Sequence, residues 1–164
     1  MGPILNLRPA AESDFPALVK LFTDSVHQIA ARSYTPAQRA AWAPASPDLE
    51  QWRSRLSDLE TLIAESAFAL AGFISFTPRG HIEFLFTAPA FARQGVASTL
   101  YEAAMRSLIE KGINRLTTDA SLEARPFFES RGFTVVEEQT VERNGVEFQR
   151  FAMARCLGQV GDAG

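Results

Sequence analysis

The sequence predicts an α/β fold built on one mixed sheet, with parallel and antiparallel strand pairs and helices packed against it. Three observations predict it. Apolar runs and helical periodicities follow the order β-α-α-α-β-β-β-α-β-α-β-β, which neither an all-helical nor a purely parallel architecture produces. The chain has 164 residues, about one domain's worth, and no internal repeat, low-complexity segment or linker divides it. Asn144-Gly145 stands between two alternating runs near the end, which signals a tight antiparallel hairpin. The domain is expected over residues 1–157, with "GQVGDAG" (158–164) a flexible tail.

"ILNLRPA" reads as a short first strand closed by Pro9. Phe15, Leu18, Val19, Phe22, Val26 and Ile29 then recur at helical spacing and predict a helix over 13–31. Thr35 can cap a second helix that has Pro36 in its first position, "APASPD" breaks it, and "DLEQWRSRL" makes a third. "TLIAE" and "FALAGFISF" are apolar runs around Ser66 and Ala67, the pattern of a buried hairpin. After the turn "TPRG", "HIEFLFT" has the aromatic and branched residues of a central strand.

Beyond Gly95, one helix face holds Val96, Leu100, Ala103, Ala104 and Leu108, and the other Thr99, Glu102, Arg106 and Glu110. Gly112 ends that helix. "INRLTTDA" is the next strand, "EARPFFESRG" a helix stopped by Gly132, and "FTVVEEQTV" and "VEFQRFAMA" the closing pair.

Composition narrows the function. Apolar residues at 46% and charged residues at 21% suit an ordinary globular core. A net charge of -3 without a Lys/Arg run speaks against a nucleic-acid partner. One cysteine and two histidines supply no structural zinc set, so no metal is expected, and Cys156 reads as a packing or edge residue. No secretory leader or apolar run of membrane-spanning length is found, so a cytoplasmic protein with no membrane partner is expected.

The stretch with chemical content is "TAPAFARQGVASTLYEAAMRSLIEKG". A helix start offers unpaired backbone N–H groups and the positive end of the dipole, and so suits an anion. Gly95 and Ala97 let an anion approach the backbone, Ser98 and Thr99 offer hydroxyls, and Arg93 adds charge. A single glycine matches neither the dinucleotide nor the nucleoside-triphosphate loop. By itself "ARQGVA" at the helix start is structural more often than functional.

With its neighbours it carries more. "IEFLFTAP", "ARQGVA" and the following helix, with "TDASLEARPFFESRGF" downstream, resemble the GCN5-related N-acetyltransferase (GNAT) superfamily, from about Leu7 to Met153. That superfamily has a strand, a proline-containing loop, [QR]-x-x-G-x-[GA] and a helix, then a strand ending near an Asn, A-x-x-F-Y and G-F. "SYTPAQRAAWAP" is similar to a bacterial branch of unassigned substrate. The resemblance implies a single-domain acyl-CoA N-acyltransferase fold with a mixed, mostly antiparallel twisted sheet flanked by helices. It also implies an acetyl-CoA-dependent enzyme whose acceptor is an amine on a small molecule or protein.

By that resemblance, Leu85, Phe86 and Thr87 would pair with the pantetheine arm of acetyl-CoA. The pyrophosphate would meet the amides of Arg93, Gln94, Gly95, Val96, Ala97 and Ser98, with Thr99 and, downstream, Ser121 and Phe128 completing the cofactor site. The first Gln/Arg of the pattern is Ala92 here, its Asn is Ser121, and its tyrosine, often proposed as the acid for the leaving thiolate, is Phe128. Phe128 has no proton to donate, which leaves solvent, Tyr34 or Ser121 as donor.

Period-two alternation places His81, Glu83 and Leu85 on one strand face. Glu83 is the first candidate for the base and His81 the second; a solvated charge and a strand-edge histidine are the alternatives. Tyr34, Trp42 and Trp52 fall in the segment that shapes the acceptor site in the family, although aromatics there are more often core, and only Tyr34 joins the candidate site. His27 reads as structural. Phe128 also motivates a rival function, a non-catalytic acyl-CoA sensor or interaction module, and the helix start alone would allow a nucleotide binder. The edge of "VEFQRFAMA" would suit a homodimer.

Overall fold

A computed structural model describes residues 2–67 and 69–157. The expected tail, 158–164, lies outside the described residues. Seven strands form one sheet in the order β1-β2-β3-β4-β5-β7-β6. They are β1 (Asn6–Pro9), β2 (Glu60–Ser66), β3 (Ala69–Phe76), β4 (His81–Thr87), β5 (Arg115–Ala120), β6 (Thr134–Arg143) and β7 (Val146–Cys156). The β4–β5 pair is parallel and every other neighbouring pair antiparallel. The mixed sheet is therefore the one the element order predicts.

Helices α1 (Phe15–Gln28), α2 (Pro36–Trp42) and α3 (Leu49–Ser57) precede β2, while α4 (Val96–Glu110) and α5 (Arg125–Ser130) flank β5. The helix expected over 13–31 is shorter, because short 3-10 turns at Glu12–Asp14 and Ala30–Arg32 take up its ends. Thr35 caps α2 as expected: its hydroxyl oxygen accepts from the Gln38 N–H at 3.1 Å, and Gln38 Oε1 accepts from the Thr35 N–H at 3.0 Å. Asp48 caps α3 through the Gln51 N–H at 3.1 Å.

Two cores lie on opposite faces of the sheet. On one face Leu18, Phe22 and Val26 of α1 and Leu56 of α3 pack on Ile63, Phe73 and Phe84. On the other, Leu100, Ala104 and Leu108 of α4 and Phe128 of α5 pack on Ile74, Ile82, Leu116 and Met153. Each fully buried Phe or Leu stabilises by about 1.5–3 kcal/mol relative to exposure.

The C-terminal edge differs from expectation. β7 lies between β5 and β6, and residues 151–154 pair on both sides, so the second half of "VEFQRFAMA" is interior and the outer edge of the sheet belongs to β6. The outer strand is β6, longer than its apolar run suggested, and a bulge between Val135 and Glu137 twists it.

Candidate active site

Parallel pairing between β4 and β5 is brief: His81 faces Thr117 and Ile82 faces Thr118. Past that point β4 follows β3 to Thr87 and β5 follows β7 to Ala120, with no ladder between them. The sheet parts into a wedge. A cavity of about 530 Å³ opens there, lined by Glu83, Leu85 and Phe86 of β4 and by Asp119 and Ser121 at the end of β5, with Tyr34 and Phe128 also in its wall.

A bulge shapes this strand. Ser75 pairs with Phe84 while the next residue, Phe76, pairs with Ile82, so Glu83 is the extra residue. Strict alternation fails across it. Ile82 and Leu85 face the α4 core, whereas Phe84 and Phe86 face the α1 core. His81 and Glu83 still meet, but Leu85 points away from them, which corrects the single-face row read from period two.

Glu83 Oε1 accepts from Arg55 Nη2 at 3.0 Å, and Glu83 Oε2 lies 3.7 Å from His81 Nε2. The same imidazole nitrogen is 3.8 Å from Asp119 Oδ2, and Nδ1 is 2.8 Å from Thr117 Oγ1. Two carboxylates thus flank one imidazole at the cavity wall, a setting suited to holding an ammonium group and taking its proton. Neither Asp119 nor Arg55 was marked by the sequence. Asp119 had a signal, since it shares strand parity with Thr117; Arg55 had none, because only the packing of α3 brings its guanidinium over the Phe84 ring, 4.7 Å from the centroid.

Tyr34 is 5% exposed, and its hydroxyl oxygen accepts from the Leu122 N–H at 2.7 Å, with Ser121 beside it. Burial pushes its phenol above the ordinary tyrosine value, against the opposing effect of the Leu122 N–H, so it keeps its proton at neutral pH. Tyr34 and Phe128 line one cavity. Ser121 Oγ accepts from the Ala124 N–H at 3.1 Å and shapes the turn into α5. Trp42 and Trp52 serve as core and as wall at once, each ring packed on Phe22. His27 Nε2 is 2.7 Å from the Ala43 carbonyl oxygen, a structural role.

At the start of α4, Arg93 (φ 61°) and Gly95 (φ 82°) both adopt the left-handed conformation. Such an alternation turns successive N–H groups toward a common point. A Cβ on Gly95 would meet nothing within 4 Å, so glycine is there for its backbone, and the space before it is open. Arg93, Gln94 and Gly95 are exposed, Ala97 and Ser98 half-buried, and the Val96 side chain is in the core. Gln94 Nε2 donates to the Ala90 carbonyl at 3.2 Å. Ser98 Oγ accepts from Arg131 Nη2, a partner the sequence did not suggest. Thr99 donates its hydroxyl proton back to the Gly95 carbonyl at 3.0 Å, so that proton is already committed within the helix.

Gly72 sets the position of this helix start. A Cβ there would come within 2.8 Å of both the Phe86 carbonyl oxygen and Val96 Cγ1. Gly72 pairs with Thr87, so the first turn of α4 sits beside the last residues of β4. Leu85, Phe86 and Thr87 are half-buried, and no β5 residue pairs with them on the side of the wedge.

A mixed, mostly antiparallel sheet flanked by helices, with a helix N-terminus beside the end of β4, fits the acyl-CoA N-acyltransferase fold that the sequence resembles. Residues 30–155 match the family model for the acetyltransferase (GNAT) domain. The chain belongs to the GNAT family of N-acetyltransferases and is an acyltransferase enzyme. It is 36% identical over 149 residues to the uncharacterised N-acetyltransferase YafP of Escherichia coli K12, spanning 91% of this chain and 94% of that protein. A GCN5-related N-acetyltransferase structure from Rhodopseudomonas palustris, also labelled as a class-II aminotransferase, superposes with a TM-score of 0.90 at 32% identity, over 96% of this chain and 98% of that one. The PaiA N-acetyltransferase of Thermoplasma acidophilum, solved with coenzyme A, shares the fold at a TM-score of 0.72 and 18% identity, over 93% of this chain and 99% of that one. Among the described residues, no helix is long and apolar enough to cross a membrane.

Proposed function

We propose that this chain moves the acetyl group of acetyl-CoA to an amine by direct attack on the thioester. The observation that carries the reading is the wedge, with the Glu83–His81–Asp119 group at its wall and the N-terminus of α4 beside the far end of β4. The donor fits the residues present. Amides at 93–98 and the Arg93 charge suit a pyrophosphate, and the free edge at Leu85, Phe86 and Thr87 suits an extended amide-bearing arm.

When bound, acetyl-CoA supplies the acetyl carbon that the amine attacks, so that a C–N bond forms, the C–S bond breaks, and N-acetylated amine and coenzyme A result. Glu83 takes the ammonium proton, which leaves a neutral amine and a neutral carboxyl, and His81 stands 3.7 Å away to receive that proton next. A backbone N–H freed on β4 donates to the carbonyl oxygen as negative charge develops there. Tyr34, which keeps its proton at neutral pH and lines the same cavity, is the proton donor for the departing sulfur, the part Phe128 cannot play.

Calorimetric titration of acetyl-CoA tests the donor site, with ATP and a Gly95→Glu variant as controls. Saturable binding that ATP does not match and the variant loses is expected. Thiol release on adding an amine separates the enzyme from an acyl-CoA-binding module without turnover; binding with no amine-dependent thiol from any acceptor would favour the module.

A further inference from the structure

We propose that the acceptor is an amine that also carries a carboxylate, and that Arg143 receives the carboxylate. The inference rests on the cavity being the acceptor site, as read above.

Three guanidinium groups line that cavity, those of Arg55, Arg143 and Arg150. Two are committed. Arg55 donates to Glu83 at 3.0 Å, while Arg150 donates to Gln139 Oε1 at 2.8 Å and lies 4.0 Å from Asp119. Among the described residues Arg143 has neither a hydrogen-bonded side-chain partner nor an ion pair. The residue is exposed overall, yet enough protein surrounds its head group that burial is the first cause of its lowered proton affinity. Arg150 and Arg55 add to this, against weaker opposition from Glu83 and Asp119. A cation so placed gains more from an incoming anion than one already paired.

The position of Arg143 is held by the fold. It is the last residue of β6, before the Asn144-Gly145 turn. Asn144 Nδ2 donates to the Ala41 carbonyl at 2.8 Å, and Gln38 Nε2 donates to the Glu147 carbonyl at 3.2 Å. Val141 and Val146 pack against Tyr34 and Phe148. The hairpin tip is thereby fastened to α2, which sets the backbone of Arg143 beside the cavity that its side chain lines.

The charges are laid out for a molecule bearing both signs. Glu83 and Asp119 flank His81 and suit an ammonium group, while Arg143 supplies a planar fork for a carboxylate. The same cavity has aromatic walls, with Trp42, Phe86 and Phe148, which suits an apolar body. A simple alkylamine or a polyamine would leave the guanidinium unused.

Thiol release from acetyl-CoA, with L-phenylalanine, L-phenylalaninamide, L-leucine and L-leucinamide as acceptors, tests this. Each acid is expected to exceed its amide in kcat/KM by about tenfold or more, the scale of one charge-assisted pair. In Arg143→Gln that ratio falls toward one, mainly through KM, and Arg143→Lys restores part of it. A ratio near one in the unaltered protein, or one that Arg143→Gln leaves unchanged, overturns the inference while leaving acetyl transfer intact. If no amine is acetylated, acetyl transfer itself fails, and titration of L-phenylalanine into the coenzyme A-loaded protein decides the carboxylate site. Binding lost in Arg143→Gln retains it; absent or unaltered binding ends it.

Discussion

Glu83 and His81 illustrate how far a strand pattern reaches at the scale of single residues. Alternation brought the two together, and a bulge then turned the strand so that Leu85 left their company. Their other partners arrive from elsewhere in the chain: Arg55 from α3 and Asp119 from β5. No spacing along β4 could reveal these, because side chains distant in sequence meet only once the sheet and its helices have packed. With Glu83 as proton acceptor, Glu83→Gln is expected to lower kcat by about 10²- to 10⁴-fold, with donor binding by calorimetry retained. Phe128 is 3% exposed, beside Phe127 and Phe133 and in the cavity wall. Phe128→Tyr therefore leaves steady-state turnover equal or raises it, and a collapse in rate with an unchanged melting curve would contradict this placement.

Among the elements, the loop into α4 was readable because glycine, small residues and a helix start each leave a mark on composition. The junction of α4 with the sheet was not. It depends on Gly72, whose missing side chain lets Val96 and the Phe86 carbonyl close in. Gly72→Ala is expected to cost about 1–3 kcal/mol, since a backbone oxygen cannot step aside as a flexible side chain could. A lower urea midpoint with an unaltered m-value would register this, together with weaker acetyl-CoA binding as the helix start shifts. The Asn-Gly hairpin was legible for the opposite reason, its geometry being local to the turn. Sheet order is a long-range property, and the edge assigned to "VEFQRFAMA" went astray on that account: β6 returns along the outside of β7.

For the molecule as a whole, Arg8 on β1 ties the start of α1 to β2. Arg8 donates to both carboxylate oxygens of Asp14 at 2.9 Å and to Glu65 of β2 at 2.9 Å. The Arg8 hydrogen bonds hold the Asp14 carboxyl below the ordinary carboxylate range; burial opposes this and the Ala11 N–H assists it. A depressed folded-state value gives stability that is complete above the unfolded value near 4 and is lost as pH falls through the folded one. Asp14→Asn is accordingly expected to lower stability by about 1 kcal/mol at pH 7, allowing for the partial exposure of both groups. Melts of the two proteins should converge in acid.

The parted sheet has a mechanical meaning as well. β1 to β4 form one panel and β5, β7 and β6 another, and the paired residues that join them are His81 with Thr117 and Ile82 with Thr118. Helices brace the seam from either face, but along the open stretch no rung of backbone carries load. An extended molecule seated there would act as a splint, and the panels would stiffen against each other whenever the gap was filled.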